Sequence, residues 1–205
     1  MHSASGPAAR PSAPADVPPA VAIVGKKNSG KTTLLVAVAA ELRHRGLRIA
    51  SLKHGHHEME IDQPGRDSWR HVHEGGAEAM VLVAGTRVAL VMQWGEEPDP
   101  RELIARFYAG RGYHLVLVEG YKHGPFPRVE VFRRAVHRTP IHAPGDDEAL
   151  RSLLGVVTDD AELALPCPIV RLESDVGLQP AQVQAVADLL EAHLRHSAPA
   201  SSGAR

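Results

Sequence analysis

Cysteine is nearly missing from this chain of 205 residues: Cys167, between Pro166 and Pro168, stands alone. No disulfide can close within the chain, and no thiolate metal site can be built from it alone. Long apolar runs are missing too, none approaching the roughly 18 residues that a membrane span requires. Neither sign of charge prevails, with 23 Lys and Arg against 24 Asp and Glu. Without a basic block, a general nucleic-acid binder is excluded, because counterion-releasing phosphate contacts need clustered cations. The cytoplasm is the expected compartment. Residues 1–19 hold Pro, Ala and Ser without an apolar signal-peptide core, so they read as a disordered leader, and 197–205 reads as a disordered tail. The remaining 20–196 has the length of one domain, or one domain with an insertion.

What is present alternates between strand-like and helix-like segments. Val21 to Val24 predicts a strand, and Thr32 to Arg45 a helix that ends at Gly46, a residue suited to a helix C-terminus. Arg48 to Leu52 predicts a second strand. Ala79 to Val83 and Val88 to Met92 predict a hairpin-like pair around Gly85-Thr86-Arg87, followed by a helix over Asp99 to Tyr108. His114 to Val118 is almost continuously apolar, as a strand covered on both faces should be. Val129 to Phe132 alternates polar and apolar residues, which predicts a place nearer a sheet edge. Two late strands, Gly155 to Thr158 and Ile169 to Leu172, precede an amphipathic helix over Pro180 to His196. The expected class is α/β: a mainly parallel sheet flanked by helices, with a small antiparallel strand pair.

Chemistry concentrates first at Gly25-Lys26-Lys27-Asn28-Ser29-Gly30-Lys31-Thr32, a G-x-x-x-x-G-K-[ST] run between the first strand and first helix. A glycine-rich turn into a helix N-terminus aims backbone N–H groups at phosphate oxygens. Gly25 and Gly30 let the turn close, Lys31 reaches the β- and γ-phosphates, and the Thr32 hydroxyl is placed to ligate magnesium. This is the signature of a P-loop NTPase. Glu119 follows an apolar strand and precedes Gly120, where a P-loop protein carries the acid that holds magnesium; a solvated strand end is the plainer reading.

The loop after the second strand, Lys53 to His71, is dense in His, Asp and Arg. His54, His56 and His57 admit a metal site, an anion-facing patch or a polar surface, and their spacing and lack of cysteine weigh against dedicated zinc. Lys53, Arg66 and Arg70 favour anions. Asp67 also fits as an N-cap. Asp159, after the strand ending at Thr158, is placed to accept from N1–H and N2–H₂ of guanine, or to cap a turn. Lys122 and Arg128 offer a second anion contact or a solvated surface.

The P-loop G-K-K-N-S-G-K-T-T-L, the segments K-H-G-H-H and D-Q-P-G-R-D-S-W-R-H, and the later V-E-G-Y-K-H-G-P-F-P-R-V-E-V together resemble the molybdopterin-guanine dinucleotide biosynthesis protein B family, MobB, over Val21 to Leu194. The resemblance implies a GTP-binding protein with weak GTPase activity, using GTP and magnesium. It would assist the molybdenum cofactor guanylyltransferase that joins GMP to molybdopterin or its molybdenum-bound form. By position, Gly25, Lys26, Asn28, Ser29, Gly30, Lys31, Thr32 and Thr33 bind nucleotide, with Thr32 and Glu119 on the metal. Lys31, Asp62, Asp67 and Glu119 are the candidate catalytic residues, and Pro64, Gly65, Ser68 and Arg70 match the loop motif. Arg66 stands where lysine is common, and Gly55 interrupts the histidines. Lys26 occupies the place of the extra lysine of dimeric P-loop proteins, which implies a homodimer. The alternatives are a metal-insertion GTPase using His54, His56 and His57, and a non-catalytic GTP-dependent adaptor.

Overall fold

A computed structural model describes residues 16–55, 63–142, 145, 147–173 and 177–197. They fall into two compact units, Gly55–Pro100 forming one and the chain on either side of it the other. The leader and tail expectations for 1–15 and 198–205 lie outside the described residues, while Asp16 and Pro19 already accept backbone hydrogen bonds from Gly110 and Val116.

The first unit holds strands β1 (Ala20–Val24), β2 (Ile49–Lys53), β5 (Leu115–Glu119), β6 (Arg128–Phe132), β7 (Leu153–Thr158) and β8 (Ile169–Arg171). They form a six-stranded sheet in the order β2-β5-β1-β6-β7-β8, parallel throughout. Helices α1 (Lys31–His44), α3 (Pro100–Tyr108), α4 (Asp147–Arg151) and α5 (Pro180–Ser197) accompany it. Alternate strand residues serve opposite faces. Val21, Ile23, Leu115 and Leu117 pack with Leu34, Val38 and Leu42 of α1 and Val186 and Leu190 of α5. Ala22, Val24, Val116 and Val118 pack on the other face with Ile104 of α3 and Phe126. This two-sided burial explains the near-continuous apolar strands. Arg45, just beyond α1, donates to Glu41, Asp188 and Glu191, tying α1 to α5.

One expectation fails here. β6 lies inside the sheet, between β1 and β7, and all five of its residues are buried. Its polar residues are internal anchors. Glu130 accepts from the backbone N–H groups of Ile141 (2.5 Å) and His142 (3.0 Å) and pairs with His142 Nδ1 at 2.7 Å. Arg128 donates to the carbonyls of Lys122, Gly124 and Phe126, so its cation organises the preceding loop instead of meeting an external anion. Alternation marks an edge only when the polar residues find water.

The second unit contains α2 (Asp67–His73) and the antiparallel pair β3 (Ala79–Ala84) and β4 (Arg87–Met92). Gly85, at φ 58°, opens the two-residue turn between them. Arg66 occupies the N-cap of α2, so Asp67 is its first helical residue and places a negative charge in the first turn. Trp69 and His73, one turn apart, stack with ring centres 4.3 Å apart.

Candidate functional site

Between β1 and α1 the chain turns through Gly25 (φ 155°), Asn28 (φ 62°) and Gly30 (φ 95°). A Cβ on Gly25 would lie 2.5 Å from Ser29 Oγ and 2.5 Å from the Val131 carbonyl, so packing as well as backbone conformation demands glycine. Asn28 takes a left-handed conformation that asparagine tolerates better than most residues. α1 then begins with no side-chain cap and no acid in its first turn. Its leading N–H groups and positive dipole end are left for an anion. Ser29 Oγ is buried and finds no hydrogen-bond partner among the described residues. An unmet buried polar atom is costly, so its position beside the turn fits a ligand-completed cradle.

Lys31 Nζ donates to the Lys26 carbonyl at 2.8 Å. Burial pulls the Lys31 ammonium below its ordinary pKa; Glu119 opposes this, while the charges of Lys122 and Lys53 add to it. Thr32 Oγ1 donates to Glu119 Oε1 at 2.8 Å. Sheet register sets this meeting: Glu119 lies opposite Ile23 of β1 on one side and Lys53 of β2 on the other. Lys53 Nζ stands 3.4 Å from the same Oε1. A hydroxyl and a carboxylate held together beside a phosphate loop are the hard oxygen donors magnesium prefers, so these residues fit that ion. Gly120 (φ 105°) follows, and a Cβ there would press on His54 at 3.1 to 3.2 Å. Tyr121, at φ 50°, stacks on the His54 ring 4.2 Å away.

The segment Arg133–His142 straps the outside of the turn, and no sequence motif announced it. Lys26 Nζ donates to Thr139 O (2.7 Å) and Oγ1 (3.1 Å), and His137 Nε2 donates to the Lys27 carbonyl at 2.7 Å. Buried carboxylates fasten both ends, Glu130 at His142 and Asp159 at the start, where Asp159 accepts from Arg133 Nε (2.8 Å) and the Arg134 N–H (2.5 Å). Burial, the largest influence on Asp159, pushes its carboxyl up, but the Arg133 guanidinium and the N–H groups of Arg134 and Ala135 together hold it below the usual value. Arg133 also lines an apolar cavity of about 150 Å³ beside the turn, with Ser29, Thr33, Val157, Leu172 and Leu178.

The structure therefore gathers Gly25, Lys26, Asn28, Ser29, Gly30, Lys31, Thr32, Thr33 and Glu119, and sets Asp159 beside them through Arg133. Asp67 belongs to the second unit. Asp62, His56 and His57 lie outside the described residues, and among those described no three His, Cys, Asp or Glu side chains gather as a metal site. No described helix is long and apolar enough to cross a membrane.

Residues 20–159 match the profile of the family described as molybdopterin guanine dinucleotide synthesis protein B. The chain belongs to the MobB family. Two MobB relatives, both molybdopterin-guanine dinucleotide biosynthesis adapter proteins, come from Haemophilus influenzae (34% identical over 180 residues, 87% of this chain and 90% of the relative) and Escherichia coli (36% over 164 residues, 78% and 89%). A solved molybdopterin-guanine biosynthesis protein B shares the fold at TM-score 0.59 and 26% identity, over 86% of this chain and 99% of its own. The Bacillus stearothermophilus MobB homologue does so at TM-score 0.57 and 23% identity, over 86% and 98%. The MobB match takes in the phosphate loop, Glu119 and Asp159, and ends just past β7.

Proposed function

We propose that this chain binds GTP with magnesium, hydrolyses it slowly, and serves in the cytoplasm as an accessory of the guanylyltransferase that joins GMP to molybdopterin or its molybdenum-bound form. The observation that carries this reading is the Thr32–Glu119 contact at 2.8 Å beside an uncapped α1 N-terminus, in a chain of the MobB family. Lys31 exchanges the Lys26 carbonyl for phosphate oxygens, and the first N–H groups of α1 with Ser29 Oγ complete the cradle. Thr32 and Glu119 hold magnesium, which when bound neutralises charge on the phosphates. The base enters the cavity lined by Thr33, Leu172 and Leu178, and Asp159, joined to the cavity's Arg133, turns from that guanidinium to read guanine.

Slow turnover follows from what supplies charge. The cations acting on Lys31 are lysines, Lys53 and Lys122, and Arg133 is engaged by Asp159, whereas fast phosphoryl transfer in related chemistry draws about 10³–10⁵ in rate from an arginine finger. A homodimer is supported by the two-stranded sheet, since β3 and β4 each keep one edge without a strand neighbour among the described residues, and such edges pair readily with another copy.

The deciding experiment is calorimetry with GTP, ATP and GDP, with and without magnesium, alongside copurification with the guanylyltransferase. Magnesium-dependent GTP binding with capture of the guanylyltransferase is expected. Failure to bind any nucleotide would overturn the reading. Capture with binding but no phosphate release would reduce the protein to an adaptor.

A further inference from the structure

Glu119 Oε1 carries two loads in this structure: it accepts from the Thr32 hydroxyl at 2.8 Å and faces Lys53 Nζ at 3.4 Å. One carboxylate oxygen thus serves the residue that would hold magnesium and a lysine from the neighbouring strand. The two attachments differ in strength. The Lys53 side chain is 54% exposed, the Glu119 side chain 12%, and an ion pair with one solvated partner at that separation is worth little. Lys53 is easily released.

We propose that Lys53 is a specificity-determining residue that reads the terminal phosphate of the nucleotide, free to do so when Glu119 would instead hold magnesium with Thr32. The inference rests on the nucleotide reading given above. Were Thr32 and Glu119 to hold magnesium, the carboxylate would be engaged away from Lys53, and the terminal phosphate of a bound triphosphate would offer the freed ammonium a new anion nearby. Lys53 ends β2 opposite Glu119 in the sheet register, which fixes its backbone at the rim. Its four-carbon stem lets the ammonium move from one partner to the next. A diphosphate leaves no such anion, so Lys53 discriminates between the two nucleotides. Lys122, whose charge also acts on Lys31, adds to the positive field without a bond to Glu119.

The test is Lys53→Met, which keeps length, removes charge and empties no core, compared with the parent by calorimetry against GTP and GDP, each with magnesium or with EDTA. The expected result is a loss of about tenfold for GTP with magnesium, the scale of one charge-assisted hydrogen bond, with GDP within about twofold and the GTP loss small in EDTA. Lys53→Arg should recover most of it. Equal losses for GTP and GDP, equal losses with and without magnesium, or no loss would each overturn the assignment. Lys31→Ala separates the two layers: if the parent binds GTP, Lys31→Ala does not, and Lys53→Met matches the parent, the Lys53 role falls and the nucleotide site stands. If the parent binds neither nucleotide, both fall.

Discussion

β1 with β5 and β3 with β4 are strand pairs of nearly the same apolar composition in opposite surroundings. Val21, Ile23, Leu115 and Leu117 are wholly buried, whereas Val81, Val83 and Val88 are 57%, 65% and 68% exposed. The first pair is covered by helices on both faces, and the second belongs to a unit whose single helix among the described residues, α2, buries only Val72. Apolar sequence makes a strand in both; only the number of covering elements decides whether it makes a core. The first unit holds its phosphate loop by its own packing, while the hairpin leaves apolar surface of the kind that marks an interaction site.

The contrast breaks most plainly at Leu117→Ala, which should cost about 3 kcal/mol in urea unfolding through lost transfer energy and a cavity. A cost below about 1 kcal/mol would mean the sheet interior relaxes as freely as the hairpin. Next, Lys31→Ala should cut GTP affinity about 100-fold by calorimetry while leaving the unfolding midpoint in place, since it removes a charged donor and no core volume. A matching fall in stability would make Lys31 a structural residue.

The pH response should be gentler. Burial holds Lys31 below its ordinary pKa without ligand, and a bound triphosphate raises it again. GTP affinity should therefore be flat below the lowered value and fall as pH rises through it, because binding then takes up a proton. Stability runs the other way: the unfolded chain binds more protons in the window between the lowered and ordinary values, so this group's penalty fades as pH rises there. Lys31→Arg should flatten the affinity profile in calorimetry across the alkaline range. The smallest effect belongs to the hairpin. Val83→Ser with Val88→Ser should shift the unfolding free energy of dilute protein by less than about 0.5 kcal/mol each, yet weaken self-association in sedimentation equilibrium. Large destabilisation with unchanged mass would show these side chains to be internal after all.

Much of this was legible because it repeats. The G-x-x-x-x-G-K-[ST] run, the apolar strand before Glu119 and the hairpin around Gly85 are local patterns, and each landed within a residue or two of its element. What escaped was settled by distant partners. Glu130 looks like a solvent-facing strand residue until His142 folds over it, and Arg128 looks like a free cation until three carbonyls surround it. The strap over Lys26 and Lys27 has no signature, because His137 acts through a ring nitrogen and Thr139 through its carbonyl and hydroxyl, at positions more than a hundred residues from the lysines they meet.

The sheet order also bears on how the molecule comes into being. Among the described residues β1 pairs with β5 and β6, and β2 only with β5, so Ala20 waits for Val116 and Ile49 for Leu115. During synthesis, the strand bearing the phosphate loop precedes the other strands of its sheet and stays without a neighbour until the chain has been made as far as β5. Such non-local pairing slows folding and leaves an apolar edge open meanwhile. The nascent chain is thus most in need of a chaperone over the interval in which the second unit is being translated.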